Sequence, residues 1–416
     1  MNELLLTELQ KAYLSGGRLT NFLGGVDTHV YLEVEAKNIS YDLLQKAWKR
    51  VLNIHPVLTA IIEDQSKLVF NKSEYNNFVP VFDLSGLSEE QREYELAEIR
   101  KGISHRRLHT EYGHTCGLFL TICSKNRYRI HFDLNLVICD VVSFQILLRD
   151  LANAYNGGIE KEIVYPKEKV ESYNIEDELY WVKRVPFMPL SPKIEFNKNP
   201  EKMYGCQYKS LVHILEEEKW DNFQRISKKR EIDTYIVLLA VFALTIHRFS
   251  KVESFLLNVP IFTRIDNDMN YLADDTKIIL LESRYNEDNT FFEFLSKINV
   301  QYHDDLKHIN FSGLNVLSLL KKEHPECKWP APIVFSATPQ IKLLSNQFCE
   351  TIGELKYMVS QTPQVWLDAQ VHEIGNKQYS YWMVPDELFI DDTINEMFAD
   401  YVERLERLAT DEVFWD

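Results

Sequence analysis

The chain has 416 residues, enough for two ordinary domains, and its 45% apolar and 26% charged residues are the balance of a globular protein. A net charge of −16 argues against non-specific nucleic-acid binding, which needs a positive field. No run of about 18 apolar residues is present, so no membrane span is expected. The six cysteines are scattered and none forms a C-x-x-C pair, so zinc and redox motifs are not expected, and Cys116, Cys123 and Cys139 read as buried core thiols. The opening Met1-Asn2-Glu3 lacks the basic region of a secretory signal. These features fit a cytoplasmic location.

Strand-like and helix-like segments alternate along the chain, which predicts a mixed α/β fold. Apolar residues at helical spacing (Leu43, Leu44, Ala47, Trp48, Val51, Leu52) predict a helix over 42–53. Leu118 to Cys123 and Arg129 to Cys139 read as strands, and helical spacing returns over 145–155. Asn156-Gly157-Gly158 then breaks the pattern, and the polar stretch 159–178 reads as an inter-domain linker. Tyr180-Trp181 lies in a short helix that Pro186 should stop. A long apolar helix is predicted over 234–249, with a strand at 255–259 behind it. The reading is two α/β halves, 1–172 and 173–416, with an active site in the cleft between them.

The run Ser360-Gln361-Thr362-Pro363-Gln364-Val365-Trp366-Leu367-Asp368-Ala369-Gln370 is the most informative stretch. It places one carboxylate beside apolar and aromatic residues, the surroundings that tune a pKa for proton transfer. The run resembles the S-Q-T-P-Q-V-x-L-D-H-Q signature of the heterocyclisation domains of nonribosomal peptide synthetases, with Ala369 where that family usually has His. Further marks follow in family order. Leu6 to Arg18 resembles L-T-x-x-Q-x-A-Y-x-x-G-R with one extra residue, and His55 to Ala60 resembles R-H-P-M-L-R-A without its arginines. Val79 to Leu84 and Ile103-Ser104-His105 match two more marks. Asn258 to Arg264 is similar to L-N-x-T-L-F-N-R, Ala273 to Thr276 stands at G-D-F-T, and Pro332 to Ser336 at P-V-V-F-T-S.

One motif departs. Condensation domains carry H-H-x-x-x-D-G, and heterocyclisation domains D-x-x-x-x-D-x-x-S, where this chain has Asn135-x-x-x-x-Asp140-x-x-Ser143. By the resemblance Asp140 is structural and pairs with an Arg of its own lobe. Asn135 removes one carboxylate from the cleft, although an amide still hydrogen-bonds. Asp133 lies two residues earlier on the same strand face and is a second candidate for that carboxylate.

The resemblance implies an α/β fold of two chloramphenicol-acetyltransferase-like lobes in a V-shaped pseudo-dimer. It also implies an enzyme that joins carrier-bound acyl and aminoacyl groups, then closes a Cys, Ser or Thr side chain into a thiazoline or oxazoline. Asp368 is the expected acid/base for ring closure and dehydration. On spacing alone it also reads as a surface or cap aspartate. Ser336 stands where the family has a Thr that works with the Asp, and its bland alternative is a strand-end serine. Asn258 is expected to orient a substrate carbonyl, or else to be a satisfied buried amide, and Gln364 belongs to the same motif set. His131 and His105 read as packed structural histidines. Leu23-Gly24-Gly25 resembles the L-G-G-x-S of carrier proteins but lacks the serine.

No bound cofactor or metal is expected. The substrates would arrive on the phosphopantetheine of peptidyl or acyl carrier proteins, with two arms meeting near Asp368, Ser336 and Asn135. The partners expected are carriers, with no nucleic acid or membrane, and the chain is expected to be monomeric. The densest basic cluster, Arg100-Lys101 with Arg106-Arg107, is a candidate docking patch or a solvated helix face. Two rival readings are a condensation-only enzyme and a silent domain that only docks carriers.

Overall fold

A computed structural model describes residues 3–71, 78–158, 162–168, 174–264 and 270–416, apart from the side chains of 339–340. The alternating strand sequences build two principal sheets. The first has five strands in the spatial order Glu354–Gln361, His29–Lys37, Arg127–Asn135, Cys116–Ser124 and Val81–Asp83. Alternation sends Val30, Leu32 and Val34 to one face, with Ile130, Phe132 and Leu134 beside them. That face packs on the amphipathic helices Tyr41–Ile54 and Val141–Tyr155. The other face carries Tyr31, Glu33, His131 and Asp133 beneath the helix Glu89–Ser104.

The second sheet has six strands in the order Thr276–Arg284, Ser254–Phe262, Ile333–Leu344, Leu367–Ile374, Lys377–Pro385 and Tyr208–Leu215. The strand Ile333–Leu344 runs parallel to both of its neighbours. Helix Thr234–Phe249 is apolar nearly all round because it lies inside, between this sheet and the C-terminal helix Asp391–Thr410. No single helix among the described residues is long and apolar enough to cross a membrane.

The predicted elements at 42–53, 118–123, 234–249 and 255–259 are present, lengthened by a few residues at most where they differ. The short helix Ile175–Arg184 does end before Pro186. Of the linker expected over 159–178, residues 159–161 and 169–173 lie outside the described residues. The strand predicted over 129–139 ends at Asn135, because the Asn135 side-chain oxygen accepts the Val137 N–H at 2.9 Å and turns the chain. The helix predicted from 145 starts at Val141, since Asp140 is its N-cap and accepts the Ser143 N–H at 2.7 Å.

The halves are interlocked rather than consecutive. Strand Glu354–Gln361 leaves the second half and pairs antiparallel with His29–Lys37 of the first sheet. In return, Leu23 is buried in the second half's core and bonds to it through its backbone, Leu23 N–H to Met203 O at 2.7 Å and Gln364 N–H to Leu23 O at 3.1 Å. Leu23-Gly24-Gly25 is therefore a knob between halves. Gly24 is required there, because a Cβ would lie 2.4 Å from the Arg18 carbonyl oxygen.

A buried ionic cluster fastens the same junction. Arg264 donates to Asp140 at 2.5 Å and pairs with Asp275 at 3.0 Å. The Ser143 hydroxyl donates to Ala273 O at 2.6 Å and accepts the Ala273 N–H at 2.9 Å. The arginine partner of Asp140 thus comes from the second half, not from the lobe that holds Asp140. Asp140→Ala should destabilise the chain by about 3–5 kcal/mol in urea unfolding, because it leaves Arg264 charged, buried and short of a partner. A loss below about 1 kcal/mol would show that the pair does not fasten the halves.

Candidate active site

Between the two sheets lies an open cleft of about 910 Å³. Its polar wall is read off strand register. Asn258, Val334 and Asp368 form one rung across three adjacent strands. Ser336 and Gln370 form a second rung, and Thr338 and His372 a third. Alternate residues of these strands (Phe335, Ala337, Leu367, Ala369, Val371) point the other way into the second core. Ala369, which replaces the family histidine, is one of them and does not line the cleft.

Asp368 is 7% exposed, and its Oδ2 accepts a hydrogen bond from Gln370 Nε2 at 2.7 Å. Its Oδ1 is buried with no partner among the described residues. Burial raises its pKa to about 6, against which the Gln370 amide works. A carboxyl so placed both takes and gives a proton near neutral pH. Asn258 and Ser360 also line the cleft, and the Oδ1 of one and the hydroxyl of the other are likewise buried without a partner among the described residues. Such atoms carry a desolvation cost that a substrate would relieve.

Asp368, Ser336 and Asn258 therefore converge on one cleft, with Asp140 at its edge. Ser143 is fully buried in the junction cluster and does not line it. Gln364 sits in the loop before Leu367, at a left-handed φ of 67°, where its backbone holds Leu23. Asn135 is also separate. It is a register partner of His29, on the sheet face away from Val30, and it lines a neighbouring cavity with Thr28, Arg18 and Arg107. The two cavities meet at Tyr13, which lines both. Asp133 also faces away from the cleft, bound by Arg106 with His29 at 3.6 Å, so it does not replace the missing carboxylate. Arg100 is drawn inward by Glu33 (2.6 Å and 3.0 Å) and Arg106 by Asp133, which leaves Lys101 and Arg107 as the exposed part of the basic cluster. His131 is a packed histidine between Tyr31 OH (2.7 Å) and Thr121 Oγ1 (2.9 Å).

Sequence reasoning missed Tyr13, Gln370 and His372 as site residues. Tyr13 stands in the quoted opening motif, and Gln370 closes the long run. His372 continues the alternation that begins with Asp368. Burial holds the His372 pKa down to about 4, so the ring is neutral at pH 7. Burial, followed by the fields of Asp274, Asp368 and Asp140, raises the Tyr13 phenol well above its ordinary range, so it remains an O–H donor. Among the described residues no group of three or more His, Cys, Asp or Glu side chains is placed to hold a metal.

The family model described as Condensation domain matches residues 2–324. The chain belongs to the condensation domain family. It is 29% identical, over 99% of its own length, to "Phenyloxazoline synthase MbtB" of Mycobacterium sp. (strain MCS), of which it covers 36%. It is 27% identical over 97% of its length to "Pyochelin synthetase PchE" of Pseudomonas aeruginosa, of which it covers 29%. The chain thus spans about a third of the length of these two relatives. Among solved structures, the cyclization-docking bidomain of EpoB from Sorangium cellulosum superposes with a TM-score of 0.88 at 22% identity, over 98% of this chain and 85% of that one. The fold of this condensation-family chain is accordingly the pair of chloramphenicol-acetyltransferase-like lobes that the sequence resemblance implied.

The raised pKa of Asp368 has a stability consequence. An unfolded aspartate titrates near ~3.9, so between that value and 6 the folded chain binds the extra proton, and stability falls as pH rises through this window. Asp368→Asn removes the penalty. The variant should be about 1–3 kcal/mol more stable than wild type at pH 8 in urea unfolding, with the gain fading as pH falls from about 6 to 4. Equal stability at pH 8 would mean that the carboxyl is not desolvated as described.

Proposed function

We propose that this chain is a condensation and heterocyclisation enzyme of nonribosomal peptide synthesis. It would join a carrier-bound acyl group to a carrier-bound Cys, Ser or Thr and close a thiazoline or oxazoline ring. The observation that carries the reading is the buried Asp368 carboxyl, which lines a cleft shared with Ser336 and Asn258 and whose Oδ1 has no partner among the described residues. The relatives whose names specify a phenyloxazoline synthase and a pyochelin synthetase support it.

In this mechanism the acceptor amine attacks the donor thioester, forming the amide and releasing the donor carrier's thiol. The acceptor's side-chain thiol or hydroxyl then adds to the new amide carbonyl while Asp368 takes its proton. Asp368 passes that proton to the carbonyl oxygen, giving the hemiaminal hydroxyl; it then takes the proton from the ring nitrogen and delivers it to that hydroxyl, which leaves as water as the C=N bond forms. Gln370 fixes one carboxylate oxygen so that the other is aimed at the reacting atoms. The Ser336 hydroxyl gives and accepts hydrogen bonds beside it. Asn258 presents Oδ1, so its role is to accept the N–H of the new amide rather than to hold a carbonyl.

A condensation-only reading is favoured by one observation, Asn135 in place of the family aspartate. Its position outside the Asp368 cleft supports ring closure independent of it. Asp368→Asn should keep amide formation and lower cyclised product by about a hundredfold or more, read as one water of mass on the loaded carrier. Linear product alone from wild type would establish the condensation-only reading, and no product the docking-only one. Ser336→Ala should depress cyclisation while Ser336→Thr stays close to wild type. Cyclisation by the alanine variant at the wild-type rate would return Ser336 to strand structure.

Asn135→Asp should leave the ratio of cyclised to linear product unchanged, because the new carboxylate would sit beside His29 and still accept the Val137 N–H. A change in that ratio would place residue 135 in ring closure after all.

A further inference from the structure

The cleft has a second wall that the mechanism does not use. Opposite the polar strands stand Val30 and Met358 from the first sheet, Leu136 from the turn after Asn135, and Val141 and Phe144 from the helix capped by Asp140, joined by Leu343 from the far end of the strand Ile333–Leu344. The wall is continuous with the first core, of which Val30, Phe144, Leu343 and Met358 are buried members, with Leu136 and Val141 packed against it. It is therefore preformed and held by packing.

The charges around the cleft are one-sided. Among the described residues that line it there is no Lys or Arg, and the charged groups are Asp140, Asp274 and Asp368. Arg264 compensates Asp140 from behind. His372 is neutral at pH 7 because burial holds its pKa near 4. A ligand carboxylate would leave water for a site with no lining cation to receive it.

The two substrates of the proposed reaction differ in what they need. The acceptor brings an amine and a side-chain nucleophile, both of which must reach Asp368 on the polar wall. The donor's chemistry ends at its thioester carbon, and the rest of its acyl group needs only a place to sit. We infer that the apolar wall receives the donor's acyl group and selects an uncharged, apolar acyl chain over a carboxylate-bearing one. This rests on the reading that the chain joins carrier-bound acyl groups, and it adds the chemical class of the donor.

The probes are acyl-pantetheine amides, in which an amide replaces the thioester and no transfer occurs. Titrated calorimetrically into the full chain, benzoyl- and isovaleryl-pantetheinamide should bind at least about tenfold more tightly than succinyl-pantetheinamide. Leu136→Lys, at a half-buried turn position, should narrow or reverse that preference, whereas Leu136→Gln should weaken the apolar probes without improving the succinyl one. The same three acyl groups, loaded as thioesters on a carrier, are then offered with a cysteinyl acceptor. Amide formation with equal kcat/KM for neutral and anionic donors, or equal binding of the probes, overturns the inference and leaves the condensation reading standing. No amide from any donor overturns that reading and the inference with it.

Discussion

The structure depends first on the buried pairing of Asp140 with Arg264. One carboxylate serves three purposes. It caps the helix Val141–Tyr155 through the Ser143 N–H, accepts the Asp275 N–H at 3.1 Å and neutralises an arginine from the other half. The helix it caps carries Val141 and Phe144 to the cleft, and the segment it grips carries Asp274. Replacing a buried pair by well-packed apolar groups is often neutral or stabilising, so what the cluster supplies is register between two separately cored halves. Ser143, which bonds both the arginine and the backbone of Ala273, belongs to this fastening rather than to the chemistry.

The junction is reinforced from both directions. The second half supplies an edge strand to the first sheet through Glu354–Gln361, and the first half supplies Leu23 to the second core. That strand continues directly into the loop of Thr362 and Gln364, then into the strand of Asp368. A displacement of one half against the other would therefore shift Ser360 and Asp368, which lie at opposite ends of a short connection and line the same cleft. The arrangement holds the proposed acid/base and its neighbours on strands, where packing fixes them better than a loop would.

The site is built at a cost in stability. Asp368 Oδ1, Asn258 Oδ1 and Ser360 Oγ are buried without partners among the described residues, whereas both Asp140 oxygens and the Ser143 hydroxyl at the junction are bonded. Three such atoms on residues of one cleft are a desolvation cost that a ligand able to bond them would relieve. The same burial that strands these atoms raises the Asp368 pKa toward neutrality, the range that the proposed proton transfers need.

The amino-acid sequence by itself determined the local elements and the facing of their side chains. A period near 3.6 marks the helix that packs under the first sheet, and the two-residue alternation of Asp368, Gln370 and His372 puts all three on one side of a strand, with Ala369 and Val371 on the other. The side chains of one strand or helix follow from bond geometry, so this part was legible without a fold, as was the condensation-domain resemblance carried by the long run. What only the tertiary structure decided was which distant residues meet. Asp140 lies 124 residues from Arg264, and nothing local says that the arginine would come from the other half. The resemblance puts Asn135 in the cleft as the first position of its motif, with Asp133 two residues earlier as a second candidate, yet strand alternation faces both away from it. Arg100 and Arg106 looked like a solvated patch until the buried Glu33 and Asp133 claimed them. Each of these outcomes depends on where a buried charge can find a partner, and that is fixed by long-range packing rather than by the spacing of neighbours along the chain.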